Sequence, residues 1–116
     1  MVYFGNHLWN HYNSALAAKD ELSGWFTDNQ KEIDRYVNGT RFFSYPFGQK
    51  GSCYNEETHA LLFNLGAQAV FCATPETFKT DGALYHRLPM DNFCENEREF
   101  KAYLSLVRLK QLFRGA

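Results

Sequence analysis

Two histidines stand four residues apart near the start of the chain, His7 and His11 in "GNHLWNHYN". Imidazole nitrogen is a good ligand for zinc and similar divalent ions. Two rings at this spacing can converge on one ion, from a helix face or from a tight loop. They fill only half of a tetrahedral shell, so a carboxylate or a third imidazole would have to complete it. Asp91 could supply the carboxylate, or it is a solvated loop residue. His59 falls in a helical stretch and reads as a surface residue. By itself the pair is a short motif that four histidines can also produce by coincidence.

The elements around the pair decide where it sits. "VYF", Val2 to Phe4, is β-branched and aromatic, stops at Gly5, and predicts a short strand ending in the histidine loop. From Ser14 to Val37 the pattern is helical, in two pieces, with Asp28 as cap of the second and Asn38-Gly39 as the stop. "RFFSYPFG", Arg41 to Gly48, predicts a strand that ends near Tyr45, because Pro46 cannot donate to a central ladder. Asn55 caps a helix with Thr58 to Leu65 as its body and Gly66 as its stop. "AQAVFCA" predicts a short buried strand, "TPETFKTDG" a loop and "ALYHRLP" another strand. The last helix carries Phe100, Tyr103, Leu104, Val107 and Leu112 along one apolar side. Alternating strands and helices imply an α/β fold with a mostly parallel sheet and helices packed on it. Functional loops of such folds lie at the C-terminal ends of the strands. The histidine loop and the turn "YPFG" both fall there.

Composition bounds the function. The 116 residues suit one domain, 1–116, and 45% hydrophobic with 17% aromatic content implies a packed interior. A formal charge of −1 argues against a nucleic-acid partner, because phosphate binding needs a concentrated basic surface. The basic group Arg108, Lys110 and Arg114 reads as the solvated end of the last helix. Cys53, Cys72 and Cys94 are widely spaced, without Cys-x-x-Cys, and read as small buried thiols in a reducing compartment. No signal peptide and no membrane span is visible, so the chain as it stands reads as cytoplasmic.

Four segments in order carry a resemblance. "GNHLWNH" resembles the second signature of the polysaccharide deacetylase family, carbohydrate esterase family four. "FFSYPFG" is similar to the family's third signature, a strand ending in Tyr-Pro-(Tyr/Phe)-Gly. "LLFNLGAQAVFCATP" resembles the helix, Leu-Gly and strand that follow, and "YHRLPMDNF" the late Arg-(Leu/Ile)-Pro segment of one branch. Together they cover most of the chain. The resemblance implies a partial distorted (β/α) barrel and a metal-dependent hydrolase that removes N-acetyl groups from sugars of an N-acetylated polysaccharide or oligosaccharide. It implies His7 and His11 as ligands of a divalent metal, zinc by preference. It implies that Tyr45, Pro46 and Phe47 shape the acetyl pocket, with the Phe47 N–H donating to the oxyanion, since Pro46 has none. Trp9 and Tyr12 would line a sugar groove, or pack in the core beside the loop. Leu84-Tyr85-His86 fits the family's Leu-x-His, making His86 a candidate acid. Arg87 would pair with substrate or with a structural carboxylate.

The family's first signature, an Asp-Asp segment that supplies the base and the third protein ligand, is not found in this sequence. Ser44 stands where many members have an arginine that supports the base. The chain is therefore expected to be a truncated deacetylase-like domain without activity of its own, or a non-catalytic carbohydrate-binding or subunit module. A barrel lacking strands leaves an open edge and an uncovered apolar face, so a homo-oligomer is expected.

Overall fold

The structure is a computed structural model that describes residues 1–73, 80–81, 84–87 and 95–114, with backbone alone at 80, 81, 86, 107, 110, 111 and 114. Its elements run β1 Phe4–Asn6, a 3-10 turn Ser14–Leu16, α1 Lys19–Ile33, β2 Gly39–Ser44, α2 Glu56–Asn64, β3 Ala69–Cys72, β4 Thr80–Asp81, β5 Leu84–His86 and α3 Glu97–Arg114. The sheet order is β1-β2-β3-β5-β4. The first four strands are mutually parallel, and β4 pairs antiparallel with β5.

Each parallel strand lies beside its predecessor in that series. Right-handed crossovers between such neighbours put their helices on one face of the sheet. Here α1 packs on β1 and β2 and also against α2. Phe43 and Val70 share a register position and are buried under these helices with Leu22, Phe26, Leu62 and Tyr45. The next residues along each strand face the other way. There Phe42, Phe71 and Tyr85 form a row across three strands, ring centroids 6.0 and 5.4 Å apart. Phe42 is 41% exposed and Tyr85 39%. A parallel sheet normally has both faces covered. This one shows an aromatic row on its second face.

Several expectations are met closely. Asn55 caps α2: its side chain accepts from the Thr58 N–H, and the Thr58 hydroxyl accepts from the Asn55 N–H. Gly66 ends that helix at φ +103°. The strand before Pro46 ends at Ser44.

Others differ for physical reasons. The first strand is displaced toward the loop, from Val2–Phe4 to Phe4–Asn6, because Phe4 and Asn6 are the residues in register with β2. Asp28 is not a cap. The helix runs through it without a break, since Phe26 and Gln30 on either side are buried against the sheet while Asp28 pairs with Lys31 on the solvent side at 3.5 Å. The break in the helical stretch falls at Ala17 and Ala18 instead. Gly39 opens β2, where a Cβ would collide with the Ile33 carbonyl oxygen. Thr80–Asp81, expected as loop, pair with β5, and the rest of that loop lies outside the described residues. On α3, Phe100, Tyr103 and Leu104 are half-buried but Leu112 is exposed, like Leu106, Leu109 and Phe113. Cys53 and Cys72 are buried, and Cys94 lies outside the described residues. No helix among the described residues is long and apolar enough to cross a membrane.

Candidate metal and substrate site

The parallel strands deliver the candidate residues to one edge. His7 follows β1, Tyr45 to Phe47 follow β2, Ala73 follows β3 and Arg87 follows β5. Each therefore leaves the C-terminal end of its strand, where the peptide groups of neighbouring loops meet.

Asn6 anchors the histidine loop. Its side chain is buried and fully used. Nδ2 donates to the Phe26 carbonyl at 3.0 Å and to Gln30 Oε1 at 3.3 Å. Oδ1 accepts from the Leu8 N–H at 3.1 Å and from Asn29 Nδ2 at 2.8 Å. Gln30 in turn donates to the Thr40 carbonyl and to Asp34 Oδ1, each at 2.9 Å. The network ties loop, helix and second strand together. Between them β1 and β2 are out of step: two residues of β1 span four of β2, and the Thr40 hydroxyl donates to the Phe4 carbonyl across the irregularity. Such bulges turn a strand end and re-aim its side chains.

His7 Nδ1 lies 2.7 Å from the Ser44 carbonyl oxygen. A carbonyl only accepts, so Nδ1 carries the hydrogen and donates, and Nε2 is left with its lone pair. A backbone carbonyl behind one ring nitrogen is the usual support of an imidazole that ligates through the other. Burial holds the His7 pKa below its ordinary value, with the charges of His11 and Arg87 adding to the effect and the Ser44 bond opposing it. The neutral ring, which is the ligand form, is thus favoured.

The His11 ring stands edge-on to His7, centroids 4.8 Å apart, and edge-on to Phe47 at 4.9 Å. Zinc sits about 2.0–2.1 Å from each imidazole nitrogen, which puts the centroids of two ligating rings about 5 Å apart at near-tetrahedral angles. The same 4.8 Å is also an ordinary edge-to-face ring contact. Among the described residues no group of three or more His, Cys, Asp and Glu could hold a metal, and two imidazoles would fill half a tetrahedral shell. Asp91 lies outside the described residues, and His86 ends β5 with only its backbone described.

Left-handed backbone concentrates here. Among the described residues, the non-glycine positions with positive φ are Leu8 at +55°, His11 at +51° and Phe47 at +65°. Sparsely populated backbone of this kind costs about 1–3 kcal/mol per residue and clusters at functional sites. Phe47 is the centre of a γ-turn in which the Gly48 N–H donates to the Pro46 carbonyl at 2.8 Å. Sequence reasoning missed this strain, for which Gly48 was the only local signal.

The Tyr45 and Pro46 side chains are fully buried, Tyr45 stacked on Tyr54 at 4.5 Å. Tyr45 therefore contributes its backbone to the site, and its carbonyl accepts from Arg87 Nη2 at 2.8 Å. Phe47 is exposed beside His11. Trp9 is 69% exposed on the outer side of the loop, and Tyr12 leans on Trp25 at 5.1 Å. A groove of about 410 Å³ beside His7 is lined by Phe4, Trp9, Ile33 and Tyr36 with Asn29 and Glu32. His59 is half-buried on α2, its ring edge-on to Phe63 at 4.7 Å, away from the histidine pair's own contacts. No protein-family model, curated protein or solved structure matches the chain.

Proposed function

We propose that this chain carries the histidine and acetyl-pocket portion of a metal-dependent carbohydrate N-deacetylase, on a segment of a distorted (β/α) barrel. The observation that carries the reading is the His7–Ser44 bond. It joins the histidine loop to the end of the neighbouring parallel strand β2, just before the Tyr45–Gly48 turn, and leaves one nitrogen of His7 beside His11. Four parallel strands in sequential order, with α1 and α2 packed together beside them, are what a barrel segment requires. The aromatic row on the other face would then line the barrel interior.

His7 and His11 would hold a divalent ion, zinc by preference. Such an ion polarises an acetyl carbonyl and lowers the pKa of bound water. The chain's own contribution is positional. Asn6 and Ser44 orient the His7 ring. The Phe47 N–H, for which no acceptor is found among the described residues, would be the donor to an oxyanion. Trp9 and the aromatic groove beside His7 offer ring faces to an N-acetylated polysaccharide or oligosaccharide. With two ligands and no base from these residues, this chain alone is expected to bind metal weakly and to turn over little.

Cobalt or zinc titration followed by acetate release from N-acetylglucosamine oligomers tests the reading. Metal binding lost in His7→Ala, with little turnover, is expected. Metal affinity unchanged in both His7→Ala and His11→Ala would sink it. The alternative, a non-catalytic carbohydrate-binding or subunit module, draws on the same exposed Trp9 and predicts oligosaccharide binding that is indifferent to metal.

A further inference from the structure

The last helix, α3, carries two apolar rows. Phe100, Tyr103 and Leu104 are half-buried and make up the inner one. Ala102, Leu106, Leu109 and Phe113 make up the other, and all four are exposed, Leu106 by 56%, Leu109 by 51% and Phe113 by 84%. At 3.6 residues per turn the second row lies roughly 140° around the helix from the first. It therefore looks away from the body of the molecule. Among the described elements none packs extensively on α3.

The spacing of the outer row is four, three, four, which is the apolar seam of two helices packed along each other. That spacing reads the same from either end. Two copies laid antiparallel about a two-fold axis between positions 107 and 108 put Leu106 of each opposite Leu109 of the other. They also put the small Ala102 of each opposite the large Phe113 of the other. One patch is thus complementary to itself, as a two-fold contact requires.

Charge decides the direction. Between 95 and 101, Glu95, Glu97 and Glu99 outnumber Arg98 and Lys101, whereas 102 to 114 holds Arg108, Lys110 and Arg114 and no acid. An antiparallel pair sets the acidic start of each helix beside the basic end of the other, and the two helix dipoles oppose. In that register Arg114 stands level with position 101 of the second copy, about 3 Å along the axis from Glu99. A parallel pair would set cations against cations. The glutamates also disfavour an anionic membrane as the occupant, since a helix lying flat on it would bring them to the head groups.

We infer that the outer row of α3 is a self-association surface, on which α3 of a second copy packs antiparallel. The inference is independent of the proposed function, and the surface is separate from the sheet edge. The seam spans about two helical turns, so it belongs with the weak contacts that bury less than about 1,200 Å².

The test is sedimentation of the full chain from about 1 µM to 1 mM, to span weak affinities. Reversible association of the wild type is expected, weakened at least about tenfold in the double variant Leu106→Gln with Leu109→Gln, which exposes less apolar surface at two solvent positions of good helix propensity. Lys110→Glu with Arg114→Glu reports on direction and leaves the seam intact. It should weaken an antiparallel pair several-fold and should leave a parallel pair, like charges against like, as it was. A wild type that stays monomeric, or association unchanged in the glutamine variant, overturns the inference. Affinity unchanged in the charge variant overturns the antiparallel packing. Loss of binding to phosphatidylserine-containing vesicles in the glutamine variant, with sedimentation unaltered, would assign the row to a membrane and overturn the inference as well.

Discussion

Removing the Asn6 side chain should cost the fold about 3 kcal/mol, although Asn6 lies in a three-residue edge strand. All four of its hydrogen-bonding positions are used, so Asn6→Ala strands several partners at once. The Leu8 N–H, in a buried residue with left-handed backbone, loses its acceptor at about 1–3 kcal/mol. Gln30 Oε1 loses its donor in a buried position, about 1 kcal/mol more. The Phe26 carbonyl belongs to α1 and keeps its helical partner, and half-buried Asn29 can turn to water, so these add little. A loss of this size lowers the melting temperature by about 10–15 °C in a chain of this length. Urea unfolding read by the fluorescence of half-buried Trp25 measures it. Asn6→Asp sharpens the test. The new carboxylate keeps both acceptor roles but turns its second oxygen toward Phe26 O and Gln30 Oε1. The fold then favours the protonated acid, which can donate one of the two lost bonds. Its folded pKa is raised above the usual value of about 3.9. The folded state binds more protons, so the stability of this variant should fall as pH rises from about 4 toward neutrality, relative to wild type. A loss under about 1 kcal/mol for Asn6→Ala, or a pH-independent Asn6→Asp, would refute the network as the anchor of the histidine loop.

His7 is held below its ordinary pKa of 6.5, chiefly by burial, so the unfolded state binds more protons beneath that pH. Stability should therefore be full above 6.5 and decline as pH falls through it, and His7→Gln should flatten the decline in urea midpoints measured across pH 5 to 8. Gly48 sits at φ +87°, with a built Cβ only 2.7 Å from the Ala73 nitrogen. Gly48→Ala should cost about 2–4 kcal/mol in the same unfolding assay, combining left-handed strain with a weakened Ala73 bond. Asn55→Ala removes the cap of α2 and should cost about 1 kcal/mol, and no measurable change would show that the cap is redundant. The β1 edge and the aromatic row of Phe42 and Tyr85, exposed among the described residues, should pair copies of the chain, so light scattering should report a dimer or larger, and a clean monomer would contradict that expectation.

Much of the local structure was legible in the chain because its signals are local. Asn55 and Gly66 bracket α2 through hydrogen bonds and a dihedral that involve only a few neighbours. Pro46 ends β2 because it lacks an N–H. The pattern of alternating elements implied a parallel sheet, and with it the end of the sheet where His7 and the Tyr45–Gly48 turn must lie. Asp28 shows where such signals stop working. Its type suits a cap, but burial of Phe26 and Gln30 continues the helix through it, and packing outweighs a preference worth about 1 kcal/mol.

The site itself was decided by tertiary structure. Sequence named His7, His11, Phe47 and Arg87 as residues capable of chemistry, but their partners are far along the chain. His7 meets the Ser44 carbonyl 37 residues away, and Arg87 meets the Tyr45 carbonyl 42 residues away. Which backbone carbonyl faces which ring depends on strand order, on the slipped register of β1 against β2, and on the left-handed turn at Phe47. None of these is a property of neighbouring residues. They follow from which faces bury together, so the residue types were written in the sequence and their convergence only in the packed sheet.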